Sequence, residues 1–367
     1  MPTISVETLR AWLEEERPVS LLDVRPQAER SEWAIPGSVH IDAYEALKAH
    51  DPQALSSFVA PQDRPIVTIC GAGKTSQIAA EQLATRGLQA YSLEGGMQAW
   101  SLAWNTAEIP LPASDVRVIQ VRRTGKGCLS YLIGDSETAI VIDASLDPHV
   151  YLDLAAQRGW TITSVFDTHI HADHLSRSRL LAQQSGAMLF LPAQQRVSFP
   201  FTAVHDGEAM QRGSLCLTAL HTPGHTAEST CYLLGNHLLF TGDTLFLTSV
   251  GRPDLHTTQA EAQQRAQALY QSIQTLRSLP AETVVLPGHT SQPIPFDGVP
   301  LLARLSEIEE QVKVIHAPRT DFVQTILARL PATPPNYERI VQLNEQGVLP
   351  EGPTTELEAG ANRCAIS

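Results

Sequence analysis

Residues 164–174 read SVFDTHIHADH, an apolar, β-branched run that breaks into His169, His171, Asp173 and His174. Four such side chains within six residues are costly to place together unless something pairs with them. The same kind of ending recurs along the chain. The run LTALHTPGH stops at His225, LLFTGD at Asp243 and TVVLPGH at His289. Side chains at the ends of neighbouring strands gather at one edge of a sheet, where loops present them to a ligand. Each piece alone is an ordinary turn; together they describe a metal site assembled from distant parts of the chain. Imidazole and carboxylate donors suit zinc and iron alike. His221, four positions before His225, is a secondary candidate. His40, His50, His149, His205, His237, His256 and His316 read as surface or core residues.

A second stretch, TICGAGKTSQIAAEQL at 68–83, raises a different chemistry. GAGKTS looks like the tail of a nucleotide-binding loop, but such a loop needs a glycine five positions before the Gly-Lys pair. That position is Thr68. Cys70 instead stands where a strand becomes a loop, with Gly71, Ala72, Gly73, Lys74, Thr75 and Ser76 leading into a helix. Backbone N–H groups converging on the sulfur favour an anion. The helix N-terminus and Lys74 are expected to lower the thiol pKa, making Cys70 a thiolate nucleophile. The plain alternative is a buried structural cysteine beside a turn.

The rest of the composition narrows the function classes. At 367 residues, 43% hydrophobic and 18% charged, the chain has room for two or three globular domains. A net charge of −13 without a basic cluster argues against nucleic acid and anionic membrane as partners. No apolar run approaches the length of a membrane span, and MPTISVETLRAWLEEERP lacks a basic region followed by an apolar stretch, so a cytoplasmic protein is expected. Five scattered cysteines, Cys70, Cys128, Cys216, Cys231 and Cys364, show no zinc-ribbon or disulfide spacing and read as reduced thiols. Cys128, Cys216 and Cys231 lie in strand-like runs and are expected to serve core packing.

Texture divides the chain. Up to residue 108, VSLLDVR, PIVTIC and QAYSLEGG alternate with helical stretches, the pattern of a parallel sheet covered by helices. The proline-bearing NTAEIPLPASD suggests a linker at 109–114. From 115 to 300, hairpins such as CLSYLIG-DSE-TAIVIDAS and further strands mix with helices, predicting a larger α/β domain of two packed sheets with helices outside. Residues 301–367 read as a helical extension with a proline-rich interruption, PATPPNY, and a surface suited to a homodimer.

Two family resemblances then enter. LLDVRPQAERSEWAIPGSVHI, CGAGKTS and LEGGMQAW resemble a single rhodanese (sulfurtransferase) domain. The resemblance implies that Cys70 carries a persulfide sulfur cradled by the loop to Ser76, with Asp23 and Arg25 in the family's DVR. WAIPG stands where Gly-His-Ile-Pro-Gly is usual. THIHADH, TPGHT, TGDTLF and LPGH resemble the metallo-β-lactamase superfamily, which implies an αββα sandwich. Within it, GDTLFLTSVGRPDL and GANRCA are similar to the persulfide dioxygenase branch, close to glyoxalase II. That resemblance implies one Fe(II) per chain held by His169, His225 and Asp243. His171, Asp173, His174 and His289 would then lie nearby as supporting or second-metal residues, and Arg252 would anchor substrate. PGHTSQPIPFDG lacks the aromatic usual after the histidine and leaves the thiol cosubstrate open.

The expected fold class is therefore α/β, a rhodanese-like parallel sheet followed by a metallo-β-lactamase sandwich. The expected activity is oxidation of a small-molecule persulfide to sulfite with O₂, coupled to sulfur transfer through Cys70 with thiosulfate or sulfite. A glyoxalase II-type hydrolase with Zn in place of iron uses the same residues. A sulfur-relay protein with a non-catalytic metal domain is a third reading.

Overall fold

The computed structural model describes residues 2–111 and 115–366. The first sheet is wholly parallel, in the order Thr3–Ile4, Ala90–Leu93, Ile66–Ile69, Ser20–Asp23, Val39–His40. Ile66–Ile69 is buried at every position, as a central parallel strand covered on both faces must be. It runs into the loop at Cys70 and then into the helix Lys74–Thr85. Gly73 starts that helix in a left-handed conformation with φ 81°, and a Cβ there would stand 2.8 Å from the Gly95 nitrogen. Only glycine meets both conditions.

Two further sheets pack face to face. One runs Thr202–Val204, Met188–Pro192, Thr161–Phe166, Thr138–Ile142, Cys128–Gly134, Arg117–Arg123, Asn105–Ile109. The other runs Ala209–Arg212, Leu215–His221, Thr230–Leu234, Leu238–Gly242, Val284–Pro287, Ala303–Arg304. Ile140, Ile142, Phe166 and Phe190 from the first sheet meet Leu217, Tyr232, Phe240 and Leu286 from the second to form the inner core. The helices Pro148–Ala156 and Ser178–Ser185 cover one outer face through Leu154 and Leu181. Gln259–Arg277, opened by a Thr258/Glu261 capping box, covers the other together with the C-terminal helices. This is the αββα order the sequence suggested.

One boundary moves. Asn105–Ile109 pairs antiparallel with Arg117–Arg123, so residues 105–108 belong to the sandwich and not to the first domain. Pro110, in the stretch expected as a linker at 109–114, follows an edge strand, where a missing N–H costs no ladder bond. Residues 112–114 of that stretch lie outside the described residues. Among the described residues, no helix is long and apolar enough to cross a membrane.

Candidate metal centre and sulfur site

The strand Thr161–Phe166 ends just before Thr168 and His169, Leu238–Gly242 just before Asp243, and Leu215–His221 four residues before His225. Their ends converge, and ligand atoms of His169, His225 and Asp243 lie within 4.8 Å of one another. His169 Nε2 is 3.8 Å and His225 Nε2 3.6 Å from Asp243 Oδ2. Neighbouring groups set the ring orientations. The Arg252 carbonyl, which can only accept, takes the Nδ1–H of His225 at 2.8 Å. Thr168 Oγ1 donates to Asp143 at 2.9 Å, so its lone pair receives the Nδ1–H of His169, also at 2.9 Å. Both Nε2 lone pairs therefore remain free, and holding an imidazole by its second nitrogen is how protein metal sites orient their histidines.

Electrostatics completes the donor set. Burial, and for His169 the neighbouring His171, keeps both imidazoles well below their ordinary pKa or lowered from it, hence neutral. Burial opposes charge on Asp243, but His289 and the other imidazoles outweigh it and hold the carboxyl far below the usual range. Two neutral imidazoles and a carboxylate are the forms a divalent cation binds. His169 Nε2 and Asp243 Oδ2 are buried with no hydrogen-bond partner. An unpaired buried acceptor is costly, so the residues fit a metal ion at this point.

The remaining sequence candidates are held differently. His289 lies between two carboxylates, with Nδ1 2.5 Å from Asp243 Oδ1 and Nε2 2.8 Å from Asp173 Oδ2. Burial opposes its protonation, yet Asp173 and Asp243 raise its pKa well above the ordinary value. Asp173 Oδ1 also meets His174 Nδ1 at 2.9 Å. Burial likewise opposes charge on His174, while Asp173 and Cys128 bring it up to about 9. His171 lies between His169 and His174 with its ring tilted to both, its Nε2 3.2 Å from Asp143 without a hydrogen bond. A cavity of about 40 Å³ borders His169 and His171 and is roofed by Leu343 and Asn344.

Several expectations change. Arg252 does not offer its guanidinium to a substrate. Nε and one terminal nitrogen bind Asp254, each at 2.8 Å, and the other terminal nitrogen binds the carbonyls of Ala332 and Arg363. It serves the site through its main-chain carbonyl. His221 is exposed and bonds the Ala227 carbonyl. Cys128, expected as packing, is buried with Sγ 3.6 Å from Asp173 and 3.8 Å from His174. Burial raises its pKa, but His174 and His289 lower it to about 6. Cys216 is only half-buried, and Cys231 is a core residue as expected.

Sequence reasoning missed Asp143 and Asn344. Asp143 follows the strand Thr138–Ile142, the same signal that marked Asp243, but the run TAIVIDAS reads only as a strand of a hairpin. Asn344 donates to the carbonyls of His171 and His174 and accepts from Ser176 N–H from 170 residues away, which no local pattern reveals.

Cys70 lies apart from the metal centre, buried at the base of a cavity of about 410 Å³. Its Sγ receives the Gly73 N–H at 3.1 Å and lies 3.2 Å from Ser76 Oγ, which Ser92 Oγ holds at 2.8 Å. Gly71, Ala72, Lys74 and Thr75 line the cavity, Lys74 being exposed. Arg25 lies in its wall, clamped by Asp23 and the Trp33 carbonyl.

A sequence profile of the Rhodanese-like domain matches residues 5–103, and one of the Metallo-beta-lactamase superfamily matches residues 123–289. Hydroxyacylglutathione hydrolase of Rhizobium johnstonii is 36% identical over 163 residues, 43% of this chain. The chain spans 60% of the length of that relative. Among solved structures, ETHE1 from Myxococcus xanthus is 31% identical with a TM-score of 0.54, the match covering 62% of this chain and 96% of that one. A metallo-beta-lactamase from Staphylococcus aureus subsp. aureus COL is 26% identical with a TM-score of 0.60, covering 65% and 76%. The chain belongs to the metallo-beta-lactamase superfamily, with a rhodanese-like domain preceding that fold.

Proposed function

We propose that the chain oxidises a thiol persulfide to sulfite with O₂ at a single Fe(II) held by His169, His225 and Asp243, and that Cys70 exchanges sulfane sulfur with the same pool. The observation that carries this reading is the donor set itself: His169 Nε2, His225 Nε2 and Asp243 Oδ2 face one point. Beside it, Asp173 takes His174 Nδ1 and Asp243 Oδ1 takes His289 Nδ1, while the Nε2 atoms of His174 and His289 have no hydrogen-bond partner. Iron held by His169, His225 and Asp243 would supply the redox centre at which a sulfur substrate and O₂ react. The protein holds both histidines in the binding tautomer, places His289 beside Asp243 and buries the donor set away from bulk water. At Cys70, the Gly73 N–H on Sγ would stabilise the thiolate that attacks a donor such as thiosulfate and that is restored when the sulfur is passed on, with Ser76 Oγ beside it.

The test is oxygen uptake and sulfite release by iron-loaded protein with glutathione persulfide, beside a zinc-loaded control. Iron-dependent uptake with sulfite is expected, and thioester cleavage by the zinc form without uptake would replace the dioxygenase by a hydrolase. That second reading draws on the 36% identity to a hydroxyacylglutathione hydrolase. Cys70→Ser is expected to abolish sulfur transfer from thiosulfate while oxygen uptake on added persulfide persists. Loss of both activities in the folded variant would contradict separable sites.

A further inference from the structure

The C-terminal segment 358–364 touches both sites. Glu358 accepts from Leu175 N–H at 2.8 Å, next to His174, and pairs with buried Arg123 and Arg177. Four residues later, Asn362 Nδ2 donates to Asp173 Oδ2 at 2.9 Å, the oxygen that also faces His289. Both anchors thus rest on the 173–175 loop of the metal centre. Between them, Ala359, Gly360 and Ala361 arch outward and line the Cys70 cavity. Arg363 then pairs with Glu32, which lines the same cavity, at 3.2 Å.

The arch is held at its ends, where the Ala359 N–H donates to the Thr355 carbonyl and Ala361 packs against the apolar cluster that includes Trp33, and is open at its crown. Gly360 is exposed with φ 106°, and a Cβ there would meet nothing within 4 Å. The hairpin 125–128 repeats the connection. Gly125 lines the Cys70 cavity, Gly127 abuts the Trp33 ring in its wall, and Cys128 lies against Asp173. One strip of backbone therefore separates the two chemistries.

We infer that the arch 359–361 makes Asn362 a positioning residue through which the occupant of the Cys70 cavity sets the placement of Asp173 and His289 at the metal centre. A sulfur added to Cys70, with the acceptor it meets, occupies the cavity that Ala359–Ala361 wall, and Asn362 links that wall to Asp173. Coupling of this kind is reciprocal, so a metal bound at the centre alters the Cys70 cavity by the same factor. The inference rests on the function proposed above only in taking Cys70 as a sulfur acceptor.

Thiosulfate supplies the input. The Cys70 thiolate attacks its outer sulfur, the new Sγ–S bond forms, the S–S bond of thiosulfate breaks, and sulfite leaves with the electron pair. Cobalt(II) bound at the centre reports the output by its absorption bands. Protein loaded with sulfur and desalted is expected to show shifted bands and a Co(II) affinity changed about fivefold, the lower range of measured site coupling. Cyanide treatment, which removes the sulfur as thiocyanate, followed by desalting before cobalt is added, should reverse both changes. Cys70→Ser treated identically should show neither.

Asn362→Ala is expected to accept sulfur and cobalt yet lose the shift. Ala361→Trp, which fills the cavity from the arch, should shift the bands with no sulfur loaded. Identical cobalt spectra in loaded and unloaded protein, with sulfur on Cys70 verified by mass, overturn the coupling. If no sulfur adds to Cys70, its role as acceptor falls, and Ala361→Trp still decides the coupling, since an unchanged spectrum there overturns it.

Discussion

Asp243 divides its two oxygens between two tasks. Oδ1 contacts His289, and Oδ2 faces His169 and His225 without a hydrogen-bond partner. Asp243→Asn places an amide among donors that need a negative charge. We expect Fe(II) or Co(II) affinity to fall by more than about 100-fold, beyond the loss typical of residues that only orient ligands. Competition with a chromophoric chelator measures it, and a loss of tenfold or less would remove Asp243 from the ligand set. His169, His225, Asp243 and Cys70 were readable because each ends a strand or begins a loop with a side chain whose chemistry has few other uses there. Arg252 was misread for the converse reason: an arginine near such a site resembles an anchor until Asp254 is seen to take two of its donors.

Elements place these residues through contacts that tolerate little change. Gly224, just before His225, has φ 151°, and a Cβ there would lie 2.5 Å from the Leu269 Cα of the helix Gln259–Arg277. Gly224→Ala must push the loop off that helix. A loss of about 2 kcal/mol in stability is expected from overpacking, with weaker metal binding as His225 moves. Urea unfolding and the chelator assay read the two effects, and an unchanged variant would place the loop elsewhere. Glu358, fully buried, holds Arg123, Arg177 and the Leu175 N–H together. Burial opposes its charge, but the two guanidiniums keep its carboxyl far below the ordinary range. Glu358→Ala strands two buried cations and should destabilise the fold by about 3 kcal/mol or more, read from the urea midpoint. Local sequence showed only TELEAG, because nothing within a few residues pairs with that glutamate.

Across the whole molecule, the two sheets are pinned by Asp135. Its carboxylate accepts from Glu137 and Thr138 N–H on its own hairpin and from the N–H and hydroxyl of Ser214 on the facing sheet. Burial raises its pKa, but these donors lower it far more. A carboxyl with a depressed folded pKa adds stability that is complete above about pH 4 and lost as pH falls through the folded value. Asp135→Ala should therefore cost about 2 kcal/mol at neutral pH, with the gap to the parent protein narrowing only below about pH 4. A gap constant down to pH 3 would mean the carboxylate bonds are not the source. The sequence by itself determined the alternation of elements, the order of the two domains and the residue types at each strand end, because periodicity and turn chemistry act over a few residues. Only the tertiary structure decided that residues 105–108 join the sandwich, that His289 bridges Asp173 and Asp243, and that the C-terminal arch walls the Cys70 cavity while its two ends anchor beside the metal centre. Those depend on groups brought together from opposite ends of the chain, where burial and charge pairing are settled only once the core has closed.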